Sequence, residues 1–227
     1  MRLGNGAFAD LVTQRIREWE VRQHVRGAES AGPAQRASVV TISRQLGSGG
    51  SEVAEAVAAA LRWDVWDRQL VEDVARSARV RTRAVESLDE RTRSQVQAIG
   101  MELLGERFEE IGYRRHLVQV ILTIAEHGSA VIVGRGANFV LPKAFNVRVV
   151  APPAARAARL AAREGVSERD ALRRCADSDR ERAEFTRSLF GREIDDPLAY
   201  DLMVNTNQLQ PAGAVELILA GVRITRS

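Results

Sequence analysis

The sequence predicts an α/β fold, three layers thick, on a five-stranded parallel sheet that is doubly wound. Three observations carry that expectation. Short β-branched apolar runs alternate with longer helical segments from residue 37 to the C-terminus, the signature of strands joined by crossover helices. The first of those runs delivers the chain into a glycine-rich turn, and a helix starts at once. Between the second and third strands lies a long stretch with no strand signal, which reads as a helical insertion.

The elements follow in order. Residues 7–25 place Phe8, Leu11, Val12, Ile16 and Trp19 at helical spacing and predict an amphipathic helix. Glycine, proline and small residues without periodicity follow at 27–36 and read as a linker. Residues 1–36 are therefore an appendage, a packing or homodimerisation element, and one domain spans 37–227. Val39, Val40, Thr41 and Ile42 form the first strand, and a helix runs on to Leu61. Residues 63–67 make a short second strand. The carboxyl ends of strands face the ligand crevice in such sheets, so Asp67 and Arg68 become candidates for the substrate side. The helical region 68–127, with breaks near 80–82 and Gly112, is the candidate acceptor-covering part.

The third strand, 129–133, runs straight into Gly134, Arg135 and Gly136. Glycine on both sides leaves the Arg135 guanidinium at a strand end, where it can fork onto a phosphate. The fourth strand occupies 146–150 and is stopped by Pro152 and Pro153. Helices follow at 154–164 and 167–190, the second opened by a capping-box pattern from Ser167 to Asp170. A fifth strand at 200–205 and a closing helix at 213–222 complete the domain.

The chemistry centres on 47–51. Gly47, Ser48, Gly49, Gly50 and Ser51 lie between a strand and a helix, where glycines can turn their N–H groups inward and the helix points its positive end at an anion. The standard phosphate loop reads G-x-x-x-x-G-K-[ST]. Here Gly50 holds the lysine slot, Ser51 the hydroxyl slot, where it can support Mg²⁺, and Arg44 the first glycine slot. The chain has one lysine, Lys143, against thirty-two arginines, so a cation assisting phosphate here is an arginine, and Arg44 is nearest in sequence. A second group, Arg180, Arg182, Arg187 and Arg192, falls within 173–197, a candidate lid. Phosphoryl transfer needs several cations around the transferring group. The competing reading is a solvated helix face whose arginines pair with Glu181, Glu184 and Glu193.

Composition excludes several classes. Apolar stretches fall far short of the ~20 residues of a membrane helix, and the N-terminus has no leader pattern, so a cytoplasmic protein is expected. Net charge is only +3, with acids interleaved among the arginines, which disfavours nucleic acid as a partner. The single cysteine, Cys175, rules out an internal disulfide and reads as a small buried helix residue. His24, His116 and His127 share no metal-ligand spacing and read as surface or helix-end residues.

Four stretches taken together, TISRQLGSGG at 41–50, WDRQL at 66–70, VIVGRGAN at 131–138 and the tail from Asp179 through 196–201 to Asn205 and Thr206, resemble the cytidylate kinase-like family. That family is a branch of the P-loop nucleoside monophosphate kinases, and the likeness covers 38 to about 222. The resemblance implies a P-loop kinase core with an acceptor-binding helical region and an arginine lid. The implied reaction moves the γ-phosphoryl of ATP, with Mg²⁺, to a nucleotide, CMP or dCMP foremost. It places 47–51 on the ATP phosphates and Asp67, Arg135 and Asp201 on the acceptor side, where the strand-end position already set Arg68. Arg44, Arg135, Arg180, Arg182 and Arg187 then neutralise the transferring group. Two positions depart from true cytidylate kinases: Gly50 replaces the loop lysine, and Gly136 replaces the aspartate of a Gly-Arg-Asp motif. The lost lysine motivates an alternative, a catalytically impaired nucleotide-binding or regulatory module.

Overall fold

A computed structural model describes residues 39–76, 85–86, 88, 90–104 and 112–226. The expected N-terminal helix and linker, and the break near 80–82, lie outside the described residues. Five strands form one sheet: β1 (Val39–Arg44), β2 (Asp64–Trp66), β3 (Ala130–Val133), β4 (Phe145–Val150) and β5 (Leu202–Asn205), in the order β2-β3-β1-β4-β5. The pairs β1–β3, β1–β4 and β4–β5 are parallel, with Ile42 opposite both Val133 and Val147. The helices are α1 (Gly50–Leu61), α2 (Arg68–Arg76), α3 (Glu90–Leu104), α4 (Gly112–His127), α5 (Ala137–Val140), α6 (Pro153–Glu164), α7 (Glu168–Phe190) and α8 (Thr206–Arg226).

The described residues divide into two compact units, 39–65 with 129–226, and those between 66 and 128. In the first, alternation along the strands sends two different residue sets to the two sheet faces. One face is apolar: Val40, Ile42, Val131, Val133, Val147, Val149 and Val204 pack with Val53 and Val57 of α1 and with Ala214, Ile218 and Val222 of α8. Each such valine or isoleucine side chain, fully buried, contributes about 1.5–3 kcal/mol. The other parity is polar and equally buried, with Thr41, Ser43, Asn146 and Arg148 on β1 and β4. Thr41 Oγ1 donates to Asn146 Oδ1 at 2.5 Å, and the Asn146 amide donates to the carbonyls of Leu141 and Ala144.

The strand order decides where a ligand can sit. The connection from β1 leads to β2 on one side of the sheet, and that from β4 leads to β5 on the other. Adjacent strands whose connections diverge open a crevice at their carboxyl ends. The loop 45–49 follows β1 at that point.

The closing helix begins earlier than its sequence suggests. The chain turns helical at Thr206, breaks at Gln210 (φ 54°, ψ 168°) before Pro211, and then runs on, so that only the part after the break matches the expected segment. In the unit of 66–128, α2 and α3 each pack on α4, which buries Leu117, Val118, Val120 and Ile121. His127 ends α4, and desolvation holds its imidazole down to about 4, so it is neutral at pH 7. No helix among the described residues is long and apolar enough to cross a membrane.

Candidate functional site

The turn after β1 is shaped by backbone geometry. Gly47 and Gly49 take φ of 78° and 79°, the left-handed region that side chains resist. Gly49 is the residue before α1, and no side chain caps the helix there. The loop is tied at its base: the Gln45 N–H donates to Val149 O at 3.1 Å, the Ala151 N–H donates to Gln45 Oε1 at 3.2 Å, and the Ser48 hydroxyl donates to Gln45 O at 2.8 Å. The result is a braced turn in front of a helix N-terminus, an arrangement suited to holding phosphate through main-chain N–H groups. Ser48 is fully buried, whereas Ser51, in the first turn of α1, is exposed.

Elements distant in sequence press on this loop. A Cβ on Gly47 would lie 2.5 Å from the Arg156 carbonyl oxygen, and one on Gly49 would lie 2.8 Å from Pro211 Cγ. Arg156, 3% exposed on α6, donates from Nε to Ala151 O and from Nη1 to Leu46 O, while Nη2 pairs with Asp179 at 2.8 Å. The thiol of Cys175 also reaches Leu46 O, at 3.5 Å, and burial pushes its pKa up, which suits the buried helix residue expected. Arg159 donates to both oxygens of Thr206, whose hydroxyl donates to Ser48 O at 2.7 Å. The loop is thus gripped by α6, α7 and α8 through its own carbonyls, which leaves the loop's geometry dependent on tertiary packing.

The arginines of α7 divide sharply. Arg182 turns inward and donates from Nη1 to the Arg44 carbonyl at 2.5 Å. Arg180 pairs with Asp177 one turn away, and Arg187 pairs in fork geometry with Glu193, both of its contacts at 2.9 Å. Those two are outward, exposed pairs, so the solvated-face reading describes them in this structure and Arg182 alone of the three reaches the loop. Ser167 caps α7 as its pattern predicts, accepting from the Asp170 N–H at 3.1 Å.

The turn after β3 is shaped by aromatic packing. Gly134, Arg135 and Gly136 all have positive φ, at 77°, 56° and 68°, and for Arg135 that is a strained conformation which its surroundings must hold. The guanidinium lies over the Phe185 ring of α7, 4.7 Å from its centroid, so the side chain expected to be free is stacked. A Cβ on Gly136 would fall 2.8 Å from Phe190 Cζ and 2.9 Å from Cδ2, and Phe190 also packs on Phe139 with ring centroids 5.5 Å apart. The position that departs from Gly-Arg-Asp is therefore filled by an aromatic ring.

Two candidates serve local structure. Asp67 Oδ1 accepts from the Leu70 N–H at 2.8 Å, as an N-cap of α2 does, with Arg68 the first residue of that helix. Asp201 accepts from the Asn146 N–H at 2.7 Å and its own N–H donates to Asn146 O at 2.8 Å. It therefore closes the amino end of β4 against β5, away from the strand ends that carry the loop.

Sequence reading passed over Arg148, Arg156 and Arg159. Arg148 sits in the middle of strand β4, 3% exposed, donating to Ser43 Oγ at 2.8 Å and to Asp195 Oδ1 from Nε and Nη2. Its guanidinium also lies 5.8 Å from the Tyr200 ring centroid, and burial raises the Tyr200 phenol pKa. A charge inside the apolar run FNVRVV is the signal that marks it. Arg156, Arg159 and Arg163 recur at one-turn spacing on α6, a pattern visible in the sequence without the structure. Among the described residues no group of three or more His, Cys, Asp or Glu is placed to hold a metal ion.

Comparison with known proteins follows the same lines. A family model described as the cytidylate kinase-like family matches residues 39–208. The cytidylate kinase of Pyrococcus horikoshii is 32% identical over 99 residues, 43% of this chain and 52% of that one. That of Thermococcus sibiricus is 33% identical over 99 residues, 43% of this chain and 51% of that one. The matched stretch thus spans about half the length of these curated relatives. A solved structure of an uncharacterized protein from Eubacterium ventriosum shares the fold, with a TM-score of 0.66 at 20% identity, covering 82% of this chain and 98% of that one.

Proposed function

The chain belongs to the cytidylate kinase-like family, and from that premise we propose that it is a nucleotide phosphotransferase, moving the γ-phosphoryl of ATP to a nucleoside monophosphate. The observation that carries the reading is the left-handed glycine cradle at 47–51, opening α1 where the connections from β1 and β4 diverge. Main-chain N–H groups of the cradle and the α1 N-terminus hold the donor phosphates. Arg44, the last residue of β1, and Arg135, in the turn after the adjacent strand β3, neutralise charge on the transferring group, and Arg182 brings α7 against the loop. Mg²⁺ keeps most of its ligands from phosphate and water, so one exposed hydroxyl, that of Ser51, fits its requirement, and it would screen charge between phosphates. Asp67 stays on the acceptor side by resemblance, and Arg68 by its place after the second strand.

CMP heads the acceptors because the relatives are named cytidylate kinases, and dCMP stands beside it by the family resemblance. Phe190 occupies the space beside Gly136, so any cytosine recognition here works without a carboxylate at that position.

A second reading, a nucleotide-binding module without turnover, is favoured by Gly50 in the lysine slot. Loss of one such cation costs about 3 kcal/mol, roughly a hundredfold in rate. The deciding experiment incubates the protein with ATP and Mg²⁺ and a panel of ribo- and deoxyribonucleoside monophosphates, and follows transfer and binding in parallel. Transfer that disappears in Arg135→Ala supports the phosphotransferase. ATP binding with no transfer to any acceptor supports the binding module.

A further inference from the structure

The glycine at 50 is not required by the backbone. Gly47 and Gly49 need their left-handed φ, but Gly50 is the first residue of α1 and has no positive φ, and in a helix glycine is a poor choice. Its reason is space. A Cβ at 50 would fall inside 3.0 Å of Arg44 Cβ and 2.9 Å from Arg44 Cγ. The first of these atoms cannot swing aside as the far end of a side chain could. Cβ is set by the backbone of β1, which is locked by pairing to β4 with Arg44 opposite Val149, and the Arg44 carbonyl is held by Arg182. Beyond the stem, the guanidinium crosses to the turn after β3, where a Cβ on Gly134 would meet Nη1 at 2.5 Å and Cζ at 3.6 Å. Arg44 therefore lies in a slot whose walls are two glycines, Gly50 at the start of α1 and Gly134 in the turn after β3.

We propose that Arg44 supplies, from the end of β1, the phosphate-directed cation that a loop of this kind carries at residue 50, and that side chains at 44 and 50 are mutually exclusive sources of that charge. The proposal rests on the reading of 47–51 as a phosphate cradle and adds what the ligand meets there: a planar fork suited to two oxygens of a polyphosphate, in place of the point charge of an ammonium. It also explains why restoring a lysine is not a one-residue change. The obstacle at 44 is the Cβ itself, so alanine there does not clear the way and only glycine does.

The test uses the full chain, with calorimetric titration of ATP and of inorganic tripolyphosphate beside thermal unfolding. Gly50→Lys is expected to lower Tm by several degrees and to weaken tripolyphosphate binding more than about tenfold. Arg44→Ala is expected to keep Tm within a few degrees while losing about tenfold or more in affinity. The double variant Arg44→Ala with Gly50→Lys should stay as impaired as Gly50→Lys. Arg44→Gly with Gly50→Lys should recover binding to within about threefold of wild type. Gly50→Lys that folds and binds like wild type, or two double variants that behave alike, overturns the proposal. Wild type that binds neither ATP nor tripolyphosphate overturns the cradle reading as well. Wild type that binds, with no rescue by the glycine double variant, overturns the exchange of charge alone.

Discussion

The turns after β1 and β3 stand side by side, both rich in glycine and both left-handed, yet they are held in different ways. The β1 turn is gripped through its carbonyls, by Arg156 on Leu46, by Thr206 on Ser48 and by Arg182 on Arg44. The β3 turn is held by rings, with Phe185 under the Arg135 guanidinium and Phe190 against Gly136. A phosphate cradle must present main-chain N–H groups, so side chains are excluded from it and other elements hold its oxygens. A turn whose purpose is to present one guanidinium can instead be packed around that side chain. The difference teaches that Gly47 and Gly49 in the first serve the backbone's left-handed turn, whereas Gly136 in the second serves the fit of a neighbouring ring.

The largest expected effect breaks the first turn. Gly47→Ala must place a Cβ at φ 78° and 2.5 Å from a main-chain oxygen, neither of which can give, and should cost about 3 kcal/mol or more in denaturant unfolding. Gly165→Ala is its control. That glycine has φ 68° with nothing within 4 Å, so only backbone strain remains, on the order of 1 kcal/mol. Equal losses at the two sites would mean that the loop is not limited by space.

The β3 turn should yield more easily, because its obstacle is a ring. Gly136→Ala is expected to cost about 2 kcal/mol, part of it recovered on adding Phe190→Ala, and the double-mutant cycle measures how much of the turn the ring shapes. Additive losses would show that Phe190 merely lies nearby. A smaller effect belongs to the stack: Phe185→Leu should cost about 1 kcal/mol and, with Arg135→Lys, give a coupling of roughly 0.5–1 kcal/mol. Coupling near zero would dissociate Arg135 from α7.

The smallest effects sharpen the contrast within α7. Arg187→Ala should leave Tm unchanged, because its partner Glu193 is as exposed as it is and water replaces the pair. Arg182→Ala should cost about 1 kcal/mol and weaken nucleotide binding, since it leaves the Arg44 carbonyl without that donor. The opposite ranking would return Arg187 to the site.

Much of this molecule is legible in the chain. The alternation of strands and helices, the stop at Pro152 and Pro153, the cap at Ser167 and the glycine-rich turn between β1 and α1 all depend on residues adjacent in sequence, where steric and hydrogen-bonding rules act locally. The site was legible only as a set of charges. Arg180, Arg182 and Arg187 are chemically identical and lie on one helix, so nothing local marks which of them faces β1. Asp201 reads as a functional carboxylate and closes β4, because its partner Asn146 lies fifty-five residues away. Arg148 carried a signal, a charge within a buried strand, although its partner Asp195 did not.

By itself the sequence determined the fold class, the position of the glycine-rich turn at 47–51, and the absence of a lysine from it, because period, φ preference and residue identity are properties of neighbours along the chain. Only the tertiary structure decided that Arg44 fills the room beside Gly50, that Arg182 rather than Arg187 turns inward, and that Phe190 replaces a carboxylate. Those outcomes depend on which atoms close packing leaves room for, and that is set by elements brought together from separate parts of the chain, Arg182 and Arg44 being 138 residues apart.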